Sequence, residues 1–484
     1  MSVRAQPTED RAASIQQSWF GVSGRGHQVG MNLSKSMKVD SALPSKETGF
    51  GLQLGKLVGS WVGLLGLVVM AGGFTLGTGF VNSGLGLMLL GVAFRWSAFW
   101  SSYRREPFLW WSAAMLVYLV VSALWVAGDP YGLAQNADRG FQELLIFTGL
   151  PTLLVGMVLG GSKRRIALMV GLFFLALLIP VVPRLGVAEF QAYWNGQRAN
   201  FEISVNGLGV YFSLILLALV AFLPAIRSWA APLNRWVRSG VYLVTAMLAL
   251  SCVLVILFSQ SRSAWLGLLP VLFALTIVTL RALWLQSGGR FGSQFKVGIA
   301  VVALLVASLG YLSAGVVKDR LTQEQATIQA LMAFEFDEVE SSSIGYRVRL
   351  WMNAGGFILE KPFFGWGPGS ASVLIEGIPD LPDFPHFHNL YLQLLVEIGV
   401  VGCLILSGLL GSLVLALMRA SRRELVSREF VRFFGASAAY LLLIGLAQVR
   451  HDDSHGTAVL AMVSGLALTA TLMGKKRQKE CHET

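Results

Sequence analysis

The feature that most constrains this chain is its succession of long apolar runs. A helix needs about 20 predominantly apolar residues to cross a bilayer. Twelve stretches approach that length: 57–72, 80–94, 108–127, 144–160, 166–183, 207–226, 240–258, 264–280, 297–315, 390–418, 433–449 and 457–473. The first two are short and rich in glycine. Only 13% of residues are charged, about half of what a soluble domain carries. The expected fold class is therefore an all-α polytopic membrane protein with about 12 transmembrane helices and one large, partly helical outer loop.

The formal charge of +11 invites a nucleic-acid reading, but the positions of the charges exclude it. With alternate loops assigned to the cytoplasm from the N-terminus onward, all but ten of the 38 Lys and Arg fall on that side. They include Arg104–Arg105, Lys163–Arg165, Arg227/Arg235/Arg238, Arg281/Arg290/Lys296, Arg419–Arg432 and the tail "KKRQK". This is the positive-inside pattern, with both termini cytoplasmic. Residues 1–55 are polar, show no cleavable signal and read as a mostly disordered cytoplasmic tail. The remaining organisation is expected as helices 1–9 over 56–315, a loop or lid over 316–389, helices 10–12 over 390–473 and a basic tail over 474–484. Cys252, Cys403 and Cys481 have no metal-type spacing, so neither a disulfide framework nor a cysteine-ligated metal site is expected.

Chemistry is expected on the outer face, where the loop 316–389 is far longer than the others. Its first half, "DRLTQEQATIQALMAFEF", has helical composition, and "EFDEVESSS" reads as a solvated face. Outward arginines need an anion, a carboxylate or plain solvation. Arg262, in the tight turn "SQSRSAWLGL", is the most telling, because charge at interface depth commonly marks a site. Its bland reading is snorkelling to headgroups. Arg198 precedes the sixth span, and Arg347 and Arg349 open a helix; each has a salt-bridge alternative. "RHDDSHG" at 450–456 reads as a polar turn, with metal binding as the sharper alternative.

The stretch "PHFHNLYLQLLVEIGVVG" at 385–402 joins the long loop to span ten. Pro385 disfavours helix at Phe384, so the helix is expected to begin near Asn389, capped by Asp383 or Asn389. An imidazole there meets the positive end of the helix dipole, stays neutral and suits a general base. His388 is the first candidate and His386 the second, against a purely structural reading. Glu397 lies about 180° around an ideal helix from His388 and reads as a buried acid, neutral or paired to a neighbouring helix. The apolar run itself reads as a membrane anchor.

"HFHNLYLQLLVEIGVVG" resembles the His-Asn signature of the O-antigen ligase and O-antigen polymerase superfamily. "SQSRSAWLGL" resembles its Ser-x-Ser-Arg turn, and "GYRVRLWMNAGGFILEKPFFGWGPGS" the stretch leading to the histidine. "RANFEISVNGLGVYF" is a looser match, departing from the family at Phe201–Ser204. The similarity covers roughly 195–415. It implies an inner-membrane glycosyltransferase, twelve spans favouring the ligase branch, with the loop and active site facing the periplasm. The implied reaction is an inverting, metal-independent transfer of a glycan from undecaprenyl diphosphate to a hydroxyl, foremost on the lipid A core in lipopolysaccharide assembly. The siblings are a repeat-unit polymerase and a protein O-glycosylating transferase. The resemblance implies His388, Arg262 and Arg198 as catalytic, and Arg347, His386 and Asn389 as substrate-binding. It implies no cofactor and no metal, with the lipid-linked donor, the acceptor and membrane lipids as partners. A lipid-linked saccharide flippase is the rival from another class. It would need cationic side chains within several spans, and the sequence has few charges at mid-span.

Overall fold

The computed structural model describes residues 46–126, 133–184, 186–195, 204–288, 343–379, 381–424, 426–451 and 453–483, with isolated positions at 197, 322, 325, 329 and 333. The chain divides into two units, 1–51 and 52–484; residues 1–45 lie outside the described residues, and the following concerns the second unit. Among the described residues every regular element is helical. In chain order the helices are α1 (Lys46–Gly73), α2 (Thr78–Phe94), α3 (Trp96–Tyr103), α4 (Pro107–Val126), α5 (Ala137–Leu144), α6 (Leu150–Leu159), α7 (Lys163–Val181) and α8 (Val187–Trp194). They continue as α9 (Val205–Ala230), α10 (Arg235–Ser259), α11 (Arg262–Gln286), α12 (Ser343–Glu360), α13 (Ser370–Glu376), α14 (Leu390–Arg422), α15 (Arg428–Gly445) and α16 (Ser454–Glu483).

Seven of these helices are long and apolar enough to cross a membrane, or nine if two bent pairs each count as one span. The bent pairs are α2–α3, turning by 89°, and 137–148 with α6, turning by 49°. The second bend has a local cause: Gly149 adopts φ 72°, and a proline follows at the start of α6. Of the other expected spans, 433–449 is the helix α15, which carries Arg428, Glu429 and Arg432 in its first turns. The stretch 457–473 lies in α16, whose apolar part is Ser454–Ala470. The stretch 297–315 lies outside the described residues, as do the acidic run 335–340 and most of the expected helical half of the long loop.

Large apolar side chains cover the outside of the bundle. Leu266 and Phe273 are 72% and 71% exposed, and Leu124 and Trp125 resemble them. Such a surface suits lipid rather than water. The interior centres on α9, in which 61% of the apolar window is buried, against 17–33% for the other six spans. It packs on α10, α11 and α15.

The glycine-rich first spans have a packing explanation. A Cβ on Gly91 would lie 2.5 Å from the Gly63 nitrogen, and one on Gly66 would lie 2.5 Å from the Gly84 carbonyl. The glycines let the backbones of α1 and α2 touch, the small-residue packing that joins helices in lipid.

Candidate functional site

The segment 385–389 forms a hook at the start of α14. Asn389 caps the helix: its Oδ1 accepts from the Tyr391 and Leu392 amides at 3.0 and 3.2 Å. Helix therefore starts where Pro385 and Asn389 place it, and Asn389 is the capping residue. His388 holds a left-handed backbone, φ 52°, a conformation that costs a non-glycine residue free energy and commonly accompanies function. The turn is fixed from within, because the His388 amide donates to His386 Nδ1 at 3.2 Å. The two rings meet edge to face at 4.3 Å, and the Phe384 ring lies 5.3 Å from His388. His386 is buried, 7% exposed, whereas His388 is half-buried. The pair thus divides into an inner histidine that holds the turn and an outer one that it presents.

Phe387, between them, is fully buried and tied at both ends. Its carbonyl accepts from Trp351 Nε1 at 3.0 Å, and its amide donates to Gln393 Oε1 at 3.2 Å. Gln393 donates in turn to Glu397 Oε1 at 2.9 Å. Glu397 is 2% exposed and also accepts from the backbone of Gly369 and Ala371. Its partners are therefore a glutamine one turn back and the start of α13. Through Gln393 this carboxylate supports the hook.

Below the hook α14 is not continuous. Gly399 has φ 59° and ψ −171° inside the helix. An uninterrupted helix would bond the amides of Val400 and Val401 to the carbonyls of Val396 and Glu397. Here those carbonyls accept instead from Trp366 and Gly367, at 2.7 and 2.9 Å, while the two amides donate to Pro362 and Phe363, at 2.9 and 3.0 Å. The loop 362–367 replaces two helical bonds with four of its own. The four displaced backbone groups are thereby all paired, as burial demands. Tyr118 adds a hydroxyl to the Ile398 carbonyl at 2.6 Å. A Cβ at Gly399 would strike the Phe363 carbonyl, and one at Gly365 would lie 2.6 Å from the Val396 carbonyl. The run that reads as a simple anchor is thus a broken helix with a docked loop, about 13 Å from the hook along the helix.

Arg262 opens α11 after a two-residue reversal in which Gln260 takes φ 48°. Its side chain is exposed, while Ser259, Ser261 and Ser263 beside it are buried. Gln448 reaches across from beyond α15 and donates to Ser261 Oγ, at 3.2 Å, and to Ser263 Oγ. On the other side α9 lies on the turn, since a Cβ on Gly209 would sit 2.9 Å from Ser259 Oγ.

Both helix starts face the same end of α15. Leu390 and Tyr391 lie against Gly445, with the Tyr391 hydroxyl on the Leu442 carbonyl at 2.7 Å, and Gly267 of α11 lies against Ile444 and Tyr440. Arg347 is half-buried in the first turns of α12. The ring of its neighbour Tyr346 lies 5.7 Å from Phe384. Arg349 donates to the Pro379 carbonyl at 3.3 Å. Arg198 lies outside the described residues. Its described flanks meet this region: Tyr193 lies 5.5 Å from Phe258, and Ser204 Oγ accepts from Arg450 at 3.4 Å.

Gln448 is a member of this neighbourhood that motif reading passes over, and Arg450 enters it as the first residue of the polar turn 450–456. For Gln448 the one sequence signal is polarity at the end of an apolar run. Asp453 in the same turn accepts from the Gly456 amide and from Arg450, and His451 packs edge to face on Phe147 at 4.8 Å. Among the described residues no three His, Cys, Asp or Glu side chains gather as a metal-holding group.

Residues 245–407 match the O-Antigen ligase family. The match includes Arg262, Arg347, His386, His388, Asn389 and the break at Gly399, and covers about a third of the chain. No curated protein matches the chain.

Proposed function

We propose, on the premise that this chain is a member of the O-antigen ligase superfamily through residues 245–407, that it transfers a glycan from undecaprenyl diphosphate to a hydroxyl acceptor. The match supports ligase-type glycan transfer. Our reading takes the lipid A core as acceptor, the bacterial inner membrane as location, about twelve spans, cytoplasmic termini and a site open to the periplasm. The observation that carries it is the hook, which presents a half-buried imidazole at a helix start, facing the same end of α15 as an exposed guanidinium.

In the proposed reaction His388 takes the acceptor proton as the hydroxyl oxygen attacks the anomeric carbon from the face opposite the diphosphate. The bond from that carbon to the diphosphate oxygen breaks, and its electron pair leaves with undecaprenyl diphosphate. Charge growing on the leaving group needs cations that are already in place. We assign this role to Arg262, with Arg198 as a second cation and Arg347 as a contact to the donor sugar. Asn389 fixes the height of the helix start. His386 accepts the His388 amide and so holds the base's backbone in its left-handed form. The base is positioned before substrate arrives, which is where much of a catalytic advantage arises.

The test uses purified protein, undecaprenyl diphosphate-linked glycan and chelator, with a lipid A core and a second carrier-linked repeat supplied side by side. We expect glycosidic product on the lipid A core. Product on the carrier-linked repeat alone would make the protein a polymerase, and no product with any hydroxyl acceptor would remove transferase activity altogether.

A further inference from the structure

A second polar site lies at the other end of the bundle. The start of α2 is tied to the hook end of the protein through Thr78 Oγ1 and Ser454 Oγ, 3.1 Å apart. From there α2 runs for 17 residues, which puts its far end about 24 Å away along its axis. The chain there turns by 89° into α3, with Arg95 at the corner. Between this corner and α1 is an open cleft of about 630 Å³. Its polar lining is Gln53, Lys56, Ser60, Arg95, Ser97 and Ser101, with no carboxylate among the described residues.

Three cations converge on it. Lys56 and Arg95 line the cleft, and among the described residues neither is in an ion pair. Arg165 stands behind Ser60, donating to its Oγ at 2.8 Å and to the Val158 carbonyl at 2.6 Å, within electrostatic reach of Arg95. Like charges brought together without a counter-ion favour an anion between them. Gly59 makes the approach possible, since a Cβ there would lie 3.0 Å from Arg95 Cγ.

The depth of the site has an independent marker. Trp96 and Trp100 stack beside the cleft at 6.0 Å, and Trp110 meets Trp100 at 6.2 Å. Trp96 and Trp110 are more than half exposed, and the Trp110 indole donates to the Arg104 carbonyl at 3.0 Å. Exposed, amphipathic indoles in a row sit at the headgroup level of a bilayer. An anion reaching the cleft at that level arrives attached to a lipid.

We propose that the cleft between α1 and the α2–α3 corner binds the phosphate of an anionic phospholipid headgroup, held by Lys56 and Arg95 with the hydroxyls of Ser60, Ser97 and Ser101. It is separate from the glycan-transfer site and does not depend on that assignment.

The probe is phosphatidylglycerol added to the purified full-length protein in detergent, with retained lipid read by native mass spectrometry against phosphatidylcholine. We expect preferential retention of phosphatidylglycerol. It should fall about fivefold for each basic residue lost from an anionic lipid contact in Lys56→Gln and Arg95→Gln, and remain unchanged in Arg235→Gln, a basic residue outside the cleft. Ser97→Asp leaves every basic residue in place and should reduce retention by a similar factor. Equal retention of both lipids, wild-type retention by the cleft variants, or an equal loss in Arg235→Gln would overturn the site. Displacement by soluble glycerol phosphate at the lipid's own concentration would overturn the lipid as its occupant.

Discussion

Two helix starts at one end of the bundle, those of α11 and α14, carry the two side chains central to the proposed chemistry, and they are held by different means. Arg262 stands on a turn clamped by side chains: buried serines, a glutamine from a distant segment and the first turns of α9. His388 stands on a helix clamped by backbone. Its own amide is bound by His386, and the helix below it exchanges two internal hydrogen bonds for four with the loop 362–367. Backbone exchange of that kind tolerates almost no local change, whereas a side-chain clamp loses its members one at a time. The difference suits the roles: a general base must meet one proton within hydrogen-bond reach, while a guanidinium reaching for a diphosphate has a long, adjustable stem.

The comparison is broken most severely at Gly399. An alanine there adopts an unfavourable backbone and drives its Cβ into the Phe363 carbonyl. Gly399→Ala should lower stability by about 3 kcal/mol or more, seen as a lower detergent melting temperature, and abolish transfer. A variant with wild-type melting would show that the break is dispensable. Next in size, Arg262→Lys should raise the donor KM about 10–100-fold while the protein remains folded, because an ammonium cannot reproduce a bidentate contact. Unchanged donor affinity would return Arg262 to a snorkelling role.

Glu397→Gln probes the base's support. The amide nitrogen it introduces cannot accept from Gln393 or from the Gly369 and Ala371 amides, so at least one buried donor loses its acceptor, at about 1–3 kcal/mol. We expect turnover to fall about tenfold at unchanged donor KM, since His388 is displaced and no phosphate contact is touched. A rise in KM alone would assign Glu397 to donor binding instead. Gln448→Ala should be the mildest change, costing about 1 kcal/mol of stability and a few-fold in donor KM. A larger effect there than in Glu397→Gln would reverse the ranking of the two clamps.

The helical, multi-pass character of the fold was readable from hydropathy, because membrane helices must satisfy their own backbone and cover it with apolar side chains. The start of α14 was readable too, since Pro385 and Asn389 act locally. The break at Gly399 was not. "VEIGVVG" has the composition of a continuous span, and only a loop thirty residues earlier supplies the bonds that make interruption tolerable. The same holds for Glu397: its helical phase excludes His388, but the amides of Gly369 and Ala371 come from the tertiary fold. The glycines of α1 and α2 looked like weakness in a single helix and serve instead as the contact between two. Gln448, and the partner of Arg450, escaped because Ser261, Ser263 and Ser204 lie more than 180 residues away in sequence.

The most direct test of the proposed chemistry is the turnover of His388→Ala at saturating undecaprenyl diphosphate-linked glycan, with donor binding and melting temperature measured on the same preparation. Removal of a general base should lower kcat by about 10²–10⁴, with donor binding and melting unchanged. Near-normal turnover, or a loss that follows weakened donor binding, would contradict the assignment of His388 as the base.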